Sequence, residues 1–224
     1  MDFFRFGYSV GSKFNVDGSI RRFPGNTIIS KITPDMPVFT HIQDINNMLR
    51  ESDDGCVAFL PAESWHMTVM EGLCDQERNP AFWTTKLRLD VNFAETDKFL
   101  ADAFANIEPL KQTEMVLVCI RELGGTIINL RPESGSDAEN LRRYRDEFAE
   151  VSGIRFPRHD KYTFHISLGY GLHMPNDIQR KKLNIFEQRA NDYIKKQDIH
   201  FILKPPVFTY FDDMLYFSEQ PVAR

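Results

Sequence analysis

One short pattern occurs twice in the chain and restricts its fold more than any other feature. Residues 66–73, HMTVMEGL, align with residues 165–172, HISLGYGL, as His-x-[Thr/Ser]-aliphatic-x-x-Gly-Leu. The copies begin 99 residues apart, a separation far longer than the roughly 20 to 50 residues of solenoid repeats. A duplicated unit explains this spacing. We therefore expect two related lobes within one domain.

Each copy is predicted to form a strand with one apolar and one polar face. Successive side chains of a strand point to opposite faces of its sheet. His66 and Thr68 therefore share one face, while apolar residues occupy the other. His165 and Ser167 share a face in the same way. A core histidine needs neither a neighbouring hydroxyl nor a second copy, so the pattern indicates a cleft lined by two imidazoles and two hydroxyls.

These four side chains suit the hydrolysis of a phosphodiester. A neutral imidazole can accept a proton from the attacking oxygen while a protonated one donates a proton to the leaving oxygen. The ordinary histidine pKa of about 6.5 permits both states near neutral pH. The hydroxyls can donate hydrogen bonds to the charged non-bridging oxygens. This chemistry needs no metal ion, and the sequence leaves open which imidazole is the base.

The motifs resemble those of the two-histidine (2H) phosphoesterase superfamily, which includes 2',3'-cyclic phosphodiesterases and RNA 2'-5' ligase-like proteins. The resemblance covers most of the chain, from Ile28 to Phe217. It implies a bilobal α+β fold, with two pseudo-symmetric lobes of largely antiparallel sheet, outer helices and a central cleft. It also implies that His66 and His165 are catalytic and that Thr68 and Ser167 bind the substrate phosphate. The sequence KFNVDG at residues 13–18 is similar to the N-terminal arm of a little-characterised branch.

The expected activity is therefore metal-independent hydrolysis of a cyclic phosphodiester, without a cofactor. The substrate is predicted to be a nucleoside 2',3'-cyclic phosphate or a related small or RNA-terminal ring, which suggests a role in RNA processing. Two alternatives stay open. One is a non-catalytic nucleotide-binding module on the same fold. The other is a metal hydrolase in which His66 and His165 act with Asp160 or Glu71.

Further substrate contacts are predicted around the motifs. Arg131 ends a predicted strand, and Lys13 and Arg21 lie on the arm, so each is a candidate contact to a phosphate or a base. Tyr162 and Tyr170 flank the second motif and could stack on a base. Both lie an even number of positions from Phe164, so an unbroken strand would place them on its apolar face. This favours packing in the core unless the strand contains a bulge. Three arginines of a predicted helix could bind phosphate, but a solvated outer face of the helix is favoured for them: Arg142, Arg143 and Arg145.

The periodicity of apolar residues predicts alternating helices and strands, the pattern of an α+β fold. Helices are predicted over residues 42–51, 95–107, 136–151 and 177–196. Strands are predicted over residues 27–32, 57–60, 65–70, 115–120, 126–130, 163–170, 199–203, 207–211 and 214–217. Gly124 and Gly125 are expected to join two of them in a hairpin, and Ser136 or Asp137 to cap the third helix. We expect residues 1–26 to form an arm packed on the body, and residues 27–224 one bilobal domain.

Composition narrows the class of protein. Apolar residues make up 42% of the 224 residues and charged residues 26%, values typical of a globular chain. A net charge of -5, from 27 basic and 32 acidic residues, disfavours a long nucleic acid as partner. The longest apolar run, residues 115–120, is far shorter than the roughly 18 residues of a membrane span. With three cysteines, no Cys-x-x-Cys and no secretion signal near Asp2 and Arg5, the chain is predicted to be cytoplasmic. We also expect it to be a monomer.

Overall fold

The structure of the protein, a computed structural model, describes residues 7, 9–122 and 125–221. Within these residues, four α-helices and eight strands confirm the predicted α+β class. The helices are α1 (Pro37–Ser52), α2 (Phe93–Ala105), α3 (Gly135–Ser152) and α4 (Asp177–Gln197). The strands are β1 (Gly25–Lys31), β2 (Val57–Phe59), β3 (His66–Cys74), β4 (Glu114–Glu122), β5 (Gly125–Pro132), β6 (His165–Gly171), β7 (His200–Ile202) and β8 (Val207–Phe211). β4 and β5 pair as predicted, although Gly124 lies outside the described residues.

The eight strands form one antiparallel sheet that curls into a half-barrel. Their order is β7-β4-β5-β6-β3-β1-β8, and β2 pairs with the C-terminal end of β6. At the centre of the sheet, β3 and β6 meet through one ladder pair, Met67 with Ile166. We call this pair the seam. The two predicted lobes are therefore the two halves of a continuous sheet, and they join at the seam.

All four helices cover one side of the sheet, which we call the helix face. Side chains from the helices and the strands share a single apolar core there, including Ile42, Leu49, Leu100, Leu141, Phe148, Leu183, Phe186, Met67, Val69, Ile166 and Leu168. Burial of this apolar surface is the main force that holds helices and sheet together. No helix in the described ranges combines the length and hydropathy required to cross a bilayer. The cysteines form no disulfide among the described residues, and Cys56 is buried while Cys74 and Cys119 are half-buried.

The opposite side of the sheet, which we call the open face, carries a second and smaller apolar cluster. Ile29 of β1 pairs with Thr68 of β3, so both side chains lie on this face. The cluster joins Ile29 to Phe211, the last residue of β8, and to residues from the segments before β1 and after β8: Phe14, Phe23, Met214 and Phe217. These two segments therefore cover part of the open face.

The predicted strand over residues 214–217 is wrong. The backbone bends there, and Asp213 Oδ1 accepts a hydrogen bond of 2.8 Å from the amide of Leu215. The chain bridges back to β8 only after this segment, at Ser218. The apolar residues that suggested a strand are buried in the open-face cluster instead, so their burial comes from packing and not from strand pairing.

The first turn of α3 is capped by a different residue from those predicted. The helix follows Ser134, whose hydroxyl accepts a hydrogen bond of 3.2 Å from the amide of Asp137. The Asp137 carboxylate accepts a bond of 3.1 Å from the Ser134 amide, which completes a capping box. In a capping box, the cap lies three positions before the acidic residue, which here is Asp137. Ser134 is therefore the cap, and Ser136 and Asp137 lie inside the helix.

Replacing Ser134 with alanine is expected to lower the free energy of unfolding by about 1 kcal/mol, because an amide of the first turn loses its acceptor. For a chain of this length, that corresponds to a fall in Tm of roughly 2–4 °C. Ser136→Ala is the matched control, and its effect should stay within about 0.5 kcal/mol. Thermal unfolding followed by circular dichroism measures both, and equal losses in the two variants would contradict this role of Ser134.

Candidate active site

The motif strands place the four candidate residues around the seam. β3 and β6 run antiparallel, and the residues that follow the two motif histidines pair with each other. Extending this register by one residue in each direction puts His66 opposite Ser167 and Thr68 opposite His165. Each imidazole therefore lies across from the hydroxyl residue of the other motif. An approximate two-fold axis through the seam relates the two pairs.

Burial follows the predicted alternation of faces. The apolar residues of both motifs are fully buried on the helix face, at 0% exposure for each of Met67, Val69, Ile166 and Leu168. His66, Thr68, His165 and Ser167 are half-buried. The apolar side anchors both strands in the core, and the polar side presents two imidazoles and two hydroxyls on the open face.

Both motif strands carry an extra residue at the same motif position. Between Thr68 and Met70, β3 advances two residues while β1 advances one. Between Ser167 and Gly169, β6 does the same against β5. Such β-bulges bend a strand and redirect the side chains that follow. Tyr170 consequently lies on the open face, where its ring centroid is 5.3 Å from that of Phe14, and the parity that favoured core packing no longer applies.

The two bulges satisfy their central carbonyl groups differently. The Val69 carbonyl accepts a hydrogen bond of 2.7 Å from the guanidinium of Arg145 on α3. The Leu168 carbonyl accepts a bond of 3.0 Å from the Leu60 amide. Arg145 also donates to the His159 carbonyl at 3.3 Å and is 3% exposed. The predicted solvated position is therefore wrong for Arg145, which is a buried support of the first motif.

The same backbone contact orients both imidazoles. His66 Nδ1 lies 2.6 Å from the Ser64 carbonyl, and His165 Nδ1 lies 2.9 Å from the Thr163 carbonyl. A carbonyl oxygen can only accept a hydrogen bond, so each Nδ1 carries a proton. Nε2 of each ring is then the atom that can take up or release a proton during a reaction.

Burial makes both imidazoles weaker bases than an exposed histidine. Burial and, to a smaller extent, the proximity of His165 lower the pKa of His66 to about 4, although the hydrogen bond to the Ser64 carbonyl acts in the opposite direction. The ring centroid of Phe217 lies 4.3 Å from that of His66. Burial also lowers the pKa of His165, and the Lys13 charge acts in the same direction. Both rings are neutral at pH 7, and a phosphate anion beside them would favour their protonated forms.

Tyr162 connects the two motifs. Its ring centroid lies 4.3 Å from the Arg145 guanidinium carbon and 6.3 Å from the centroid of the His165 ring. Burial raises the pKa of its hydroxyl, and the Thr68 side chain acts in the opposite direction. Tyr162 therefore lies between Arg145, which supports the first motif, and His165 of the second motif.

Asn129 is a site residue that the sequence analysis missed. It pairs with His165 across β5 and β6, and therefore lies beside that imidazole on the open face. Its amide nitrogen lies 3.7 Å from the sulfur of Cys119, while its carbonyl oxygen is buried without a partner among the described residues. That oxygen can accept a hydrogen bond from a hydroxyl or an amine. A single asparagine within a strand gives no recognisable signal in the sequence.

Two predicted cationic contacts are directed elsewhere. In the described ranges, the polar contacts of the Arg131 guanidinium are the carbonyl of Pro132 and the carbonyl and carboxylate of Glu133. Arg21 is exposed and donates a hydrogen bond of 2.9 Å to Asn15. Neither side chain is brought to the motif histidines by these contacts.

The carboxylates considered for a metal site do not join the two motif histidines. Asp160 is exposed and accepts a hydrogen bond of 2.5 Å from Arg155. Glu71 is half-buried, and burial raises its pKa. One group in the described residues has potential ligand atoms within 4.8 Å of one another, and it consists of Asp146, His159 and Asp160. His66 and His165 are not members of it.

Comparisons with known proteins concern the fold and the family of the chain. A solved structure described as a conserved protein of unknown function, ATU0111 from Agrobacterium tumefaciens str. C58, is similar with a TM-score of 0.86 and 25% sequence identity. The similarity covers 96% of this chain and 91% of that one. No functionally curated protein matches the chain.

A family model supplies the assignment. The 2H-phosphodiest model, described as a domain of unknown function (DUF1868), matches residues 13–127. The matched span holds the first motif, whereas the second motif lies beyond it. The family label suggests a phosphoesterase and thus a hydrolase. Because the model matches half of the sequence and the fold pairs two His-x-[Thr/Ser] strands, the chain belongs to the 2H phosphodiesterase family.

Proposed function

We propose that the protein hydrolyses nucleoside 2',3'-cyclic phosphates, or related small or RNA-terminal cyclic phosphodiesters, without a metal ion or a cofactor. The observation that supports this most strongly is the symmetric pair of imidazoles at the seam. Both are anchored through Nδ1 and lie across from a hydroxyl residue of the other motif. A ring-opening displacement needs one group that takes a proton from the attacking water and one that donates a proton to the leaving oxygen, and a pair of imidazoles can supply both.

In the proposed reaction, water attacks the phosphorus atom while Nε2 of His66 takes its proton. The bond from phosphorus to the 2' or 3' oxygen breaks, and Nε2 of His165 donates a proton to that oxygen. The product is a phosphate monoester with a new ribose hydroxyl. Thr68 and Ser167 donate hydrogen bonds to the non-bridging oxygens, where negative charge is concentrated.

The electrostatics favour these two roles. The pKa of His66 falls to about 4, a larger decrease than that of His165. When a single proton is shared between the two rings, it therefore resides on His165. This leaves His66 neutral as the base and His165 charged as the acid.

The test is a panel of 2',3'-cyclic nucleotides and of linear 2'-5' and 3'-5' dinucleotides, assayed with and without excess EDTA. Hydrolysis of the cyclic substrates in the presence of EDTA is the expected result. Loss of activity with EDTA, restored by a divalent cation, would favour a metal hydrolase. Binding of a cyclic nucleotide without turnover of any substrate would favour a non-catalytic module.

The pH dependence of kcat/KM should have its maximum in mild acid. The acid must be protonated, and the pKa of His165 is lowered from 6.5. The base must be neutral, which holds above the His66 pKa of about 4. Activity of the unbound enzyme should therefore decline as the pH rises through the His165 pKa, which lies below 6.5, and also as it falls below 4. Initial rates at low substrate concentration over pH 3.5–9 measure this, and an activity that keeps rising up to pH 9 would contradict the assignment.

A further inference from the structure

The segment before β1 places an ammonium group on the open face. Lys13 Nζ lies 5.2 Å from the ring centroid of Phe23 and 5.0 Å from that of Tyr170. Because Tyr170 follows the bulge of β6, its ring lies on the same face as His165 and Ser167. Two aromatic rings around a cation stabilise its charge without neutralising it.

Backbone contacts fix the position of Lys13. Its amide donates a hydrogen bond of 2.9 Å to the Ser9 carbonyl, and its carbonyl accepts one of 2.9 Å from the Arg21 amide. The next residue, Phe14, is 2% exposed and packs in the open-face cluster. The side chain of Lys13 therefore extends from an ordered and anchored piece of backbone.

Lys13 differs from the other cations near the site in having no ion pair among the described residues. Lys31 lies opposite His66 in the sheet, but its ammonium binds Glu219 at 2.5 Å. Arg145 is bound to backbone carbonyls, and Arg131 to Glu133 and to its own strand end. In the described part of the chain, the charge of Lys13 is therefore not neutralised by a carboxylate partner and can act on an anionic ligand.

Lys13 stays protonated, and its positive charge acts electrostatically on His165. Although burial opposes protonation, Tyr170, Cys74 and Glu77 together raise the pKa of Lys13 above its ordinary value. The groups that face His165 are His66 from β3, Tyr162 from the preceding turn, the uncharged Asn129 from β5, and Lys13. Lys13 is therefore the cation that acts on His165 from outside the two motifs.

We propose that Lys13 binds a non-bridging oxygen of the substrate phosphate on the His165 side, so that the N-terminal arm forms part of the active site. This inference rests on the proposed function, since it assigns the charge that neutralises the phosphodiester anion. The two motifs supply neutral hydroxyls and imidazoles, whereas the arm supplies the positive charge. Lys13 also makes His165 a stronger acid, because a nearby cation favours loss of its proton.

The test uses the full chain with Lys13→Met, the conservative variant Lys13→Arg, and Arg21→Met as a matched control on the same segment. Inorganic phosphate is the first probe, and its binding is followed through the histidine Cε1–H resonances at pH 6. Lys13→Met should weaken phosphate binding about 10- to 100-fold, the value of one charge-assisted hydrogen bond. Lys13→Arg should retain most of the affinity, and Arg21→Met should leave it unchanged.

The second measurement is the titration of His165 in the protein alone. Removal of the Lys13 charge should raise the pKa of His165, which a purely structural role of Lys13 would not do. Unchanged phosphate affinity and an unchanged His165 titration in Lys13→Met would overturn the proposal. If Lys13→Met fails to fold, Lys13→Gln supplies the same comparison. Phosphate binding that depends on Lys13 would support the role of Lys13 even if no cyclic ester were hydrolysed. Failure of the Lys13 proposal can therefore be distinguished from failure of the proposed enzymatic function.

Discussion

Replacing either motif histidine with alanine is expected to lower kcat for cyclic phosphodiesters by about 10²- to 10⁴-fold, the usual contribution of one general acid or base. His66 and His165 are half-buried and lie on the open face, opposite the main core. Their loss should therefore remove a proton-transfer group without disrupting the fold. Steady-state kinetics and thermal unfolding of each variant measure the two effects separately.

His173→Ala is the matched control for this experiment. Its two ring nitrogens contact the carbonyls of Met174 and Gly55, in the loop that follows β6 and outside the motif pair. Activity within twofold of the native protein is expected. Full activity in either His66→Ala or His165→Ala would remove the basis of the proposed mechanism.

The leaving group can separate the two histidines. A 4-nitrophenyl phosphodiester releases a phenolate that does not require a proton, so a missing acid costs little with this substrate. His165→Ala should therefore recover most of its activity on the nitrophenyl ester, whereas His66→Ala should remain inactive. The opposite pattern would exchange the roles of the two residues.

Arg145→Met is expected to cause the largest loss of stability, about 2–4 kcal/mol in the free energy of unfolding. The substitution leaves the carbonyls of Val69 and His159 buried without their donor, and each such group costs roughly 1–3 kcal/mol. The variant should also lose activity, because the unsupported bulge follows Thr68 directly. Urea unfolding monitored by tryptophan fluorescence gives the change in stability.

Arg142→Met provides the comparison. Arg142 lies one turn earlier on α3, and its ion pair with Glu139 at 2.9 Å is exposed. Its replacement should change stability by no more than about 0.5 kcal/mol. Similar losses in the Arg142 and Arg145 variants would show that the buried hydrogen bonds of Arg145 are not the cause.

The sequence predicts much of the fold because its strongest signals are periodic. The four helices and eight of the nine predicted strands are present, and the polar faces of both motifs lie where alternation places them. The inward position of Arg145 also had a signal, since Leu141, Arg145 and Phe148 share one side of a helix. The neighbouring Arg142 and Arg143 mask this spacing, because a cluster of three charges is more typical of a solvated face.

Other features have no local signal. A bulge adds one residue to a strand and has no characteristic side chain. The face of the sheet on which Tyr170 lies therefore follows only from the pairing of β5 with β6. Asn129 acquires its place from the same pairing. The segment at 214–217 is apolar for a tertiary reason, because it covers the open face. In each case, the position of the residue depends on which distant strand or segment packs against it, and the local sequence does not contain that information.

The approximate two-fold axis at the seam has a consequence for the direction of cleavage. A phosphate centred on that axis meets an imidazole and a hydroxyl from either side, so the duplicated motifs alone cannot distinguish a 2' from a 3' oxygen. The symmetry is broken by segments outside the duplication, with Phe217 against His66 and the Lys13 charge acting on His165. Under the proposed function, we expect these two flanking segments to contribute to the choice of which bond breaks, and exchanging them between relatives tests this contribution.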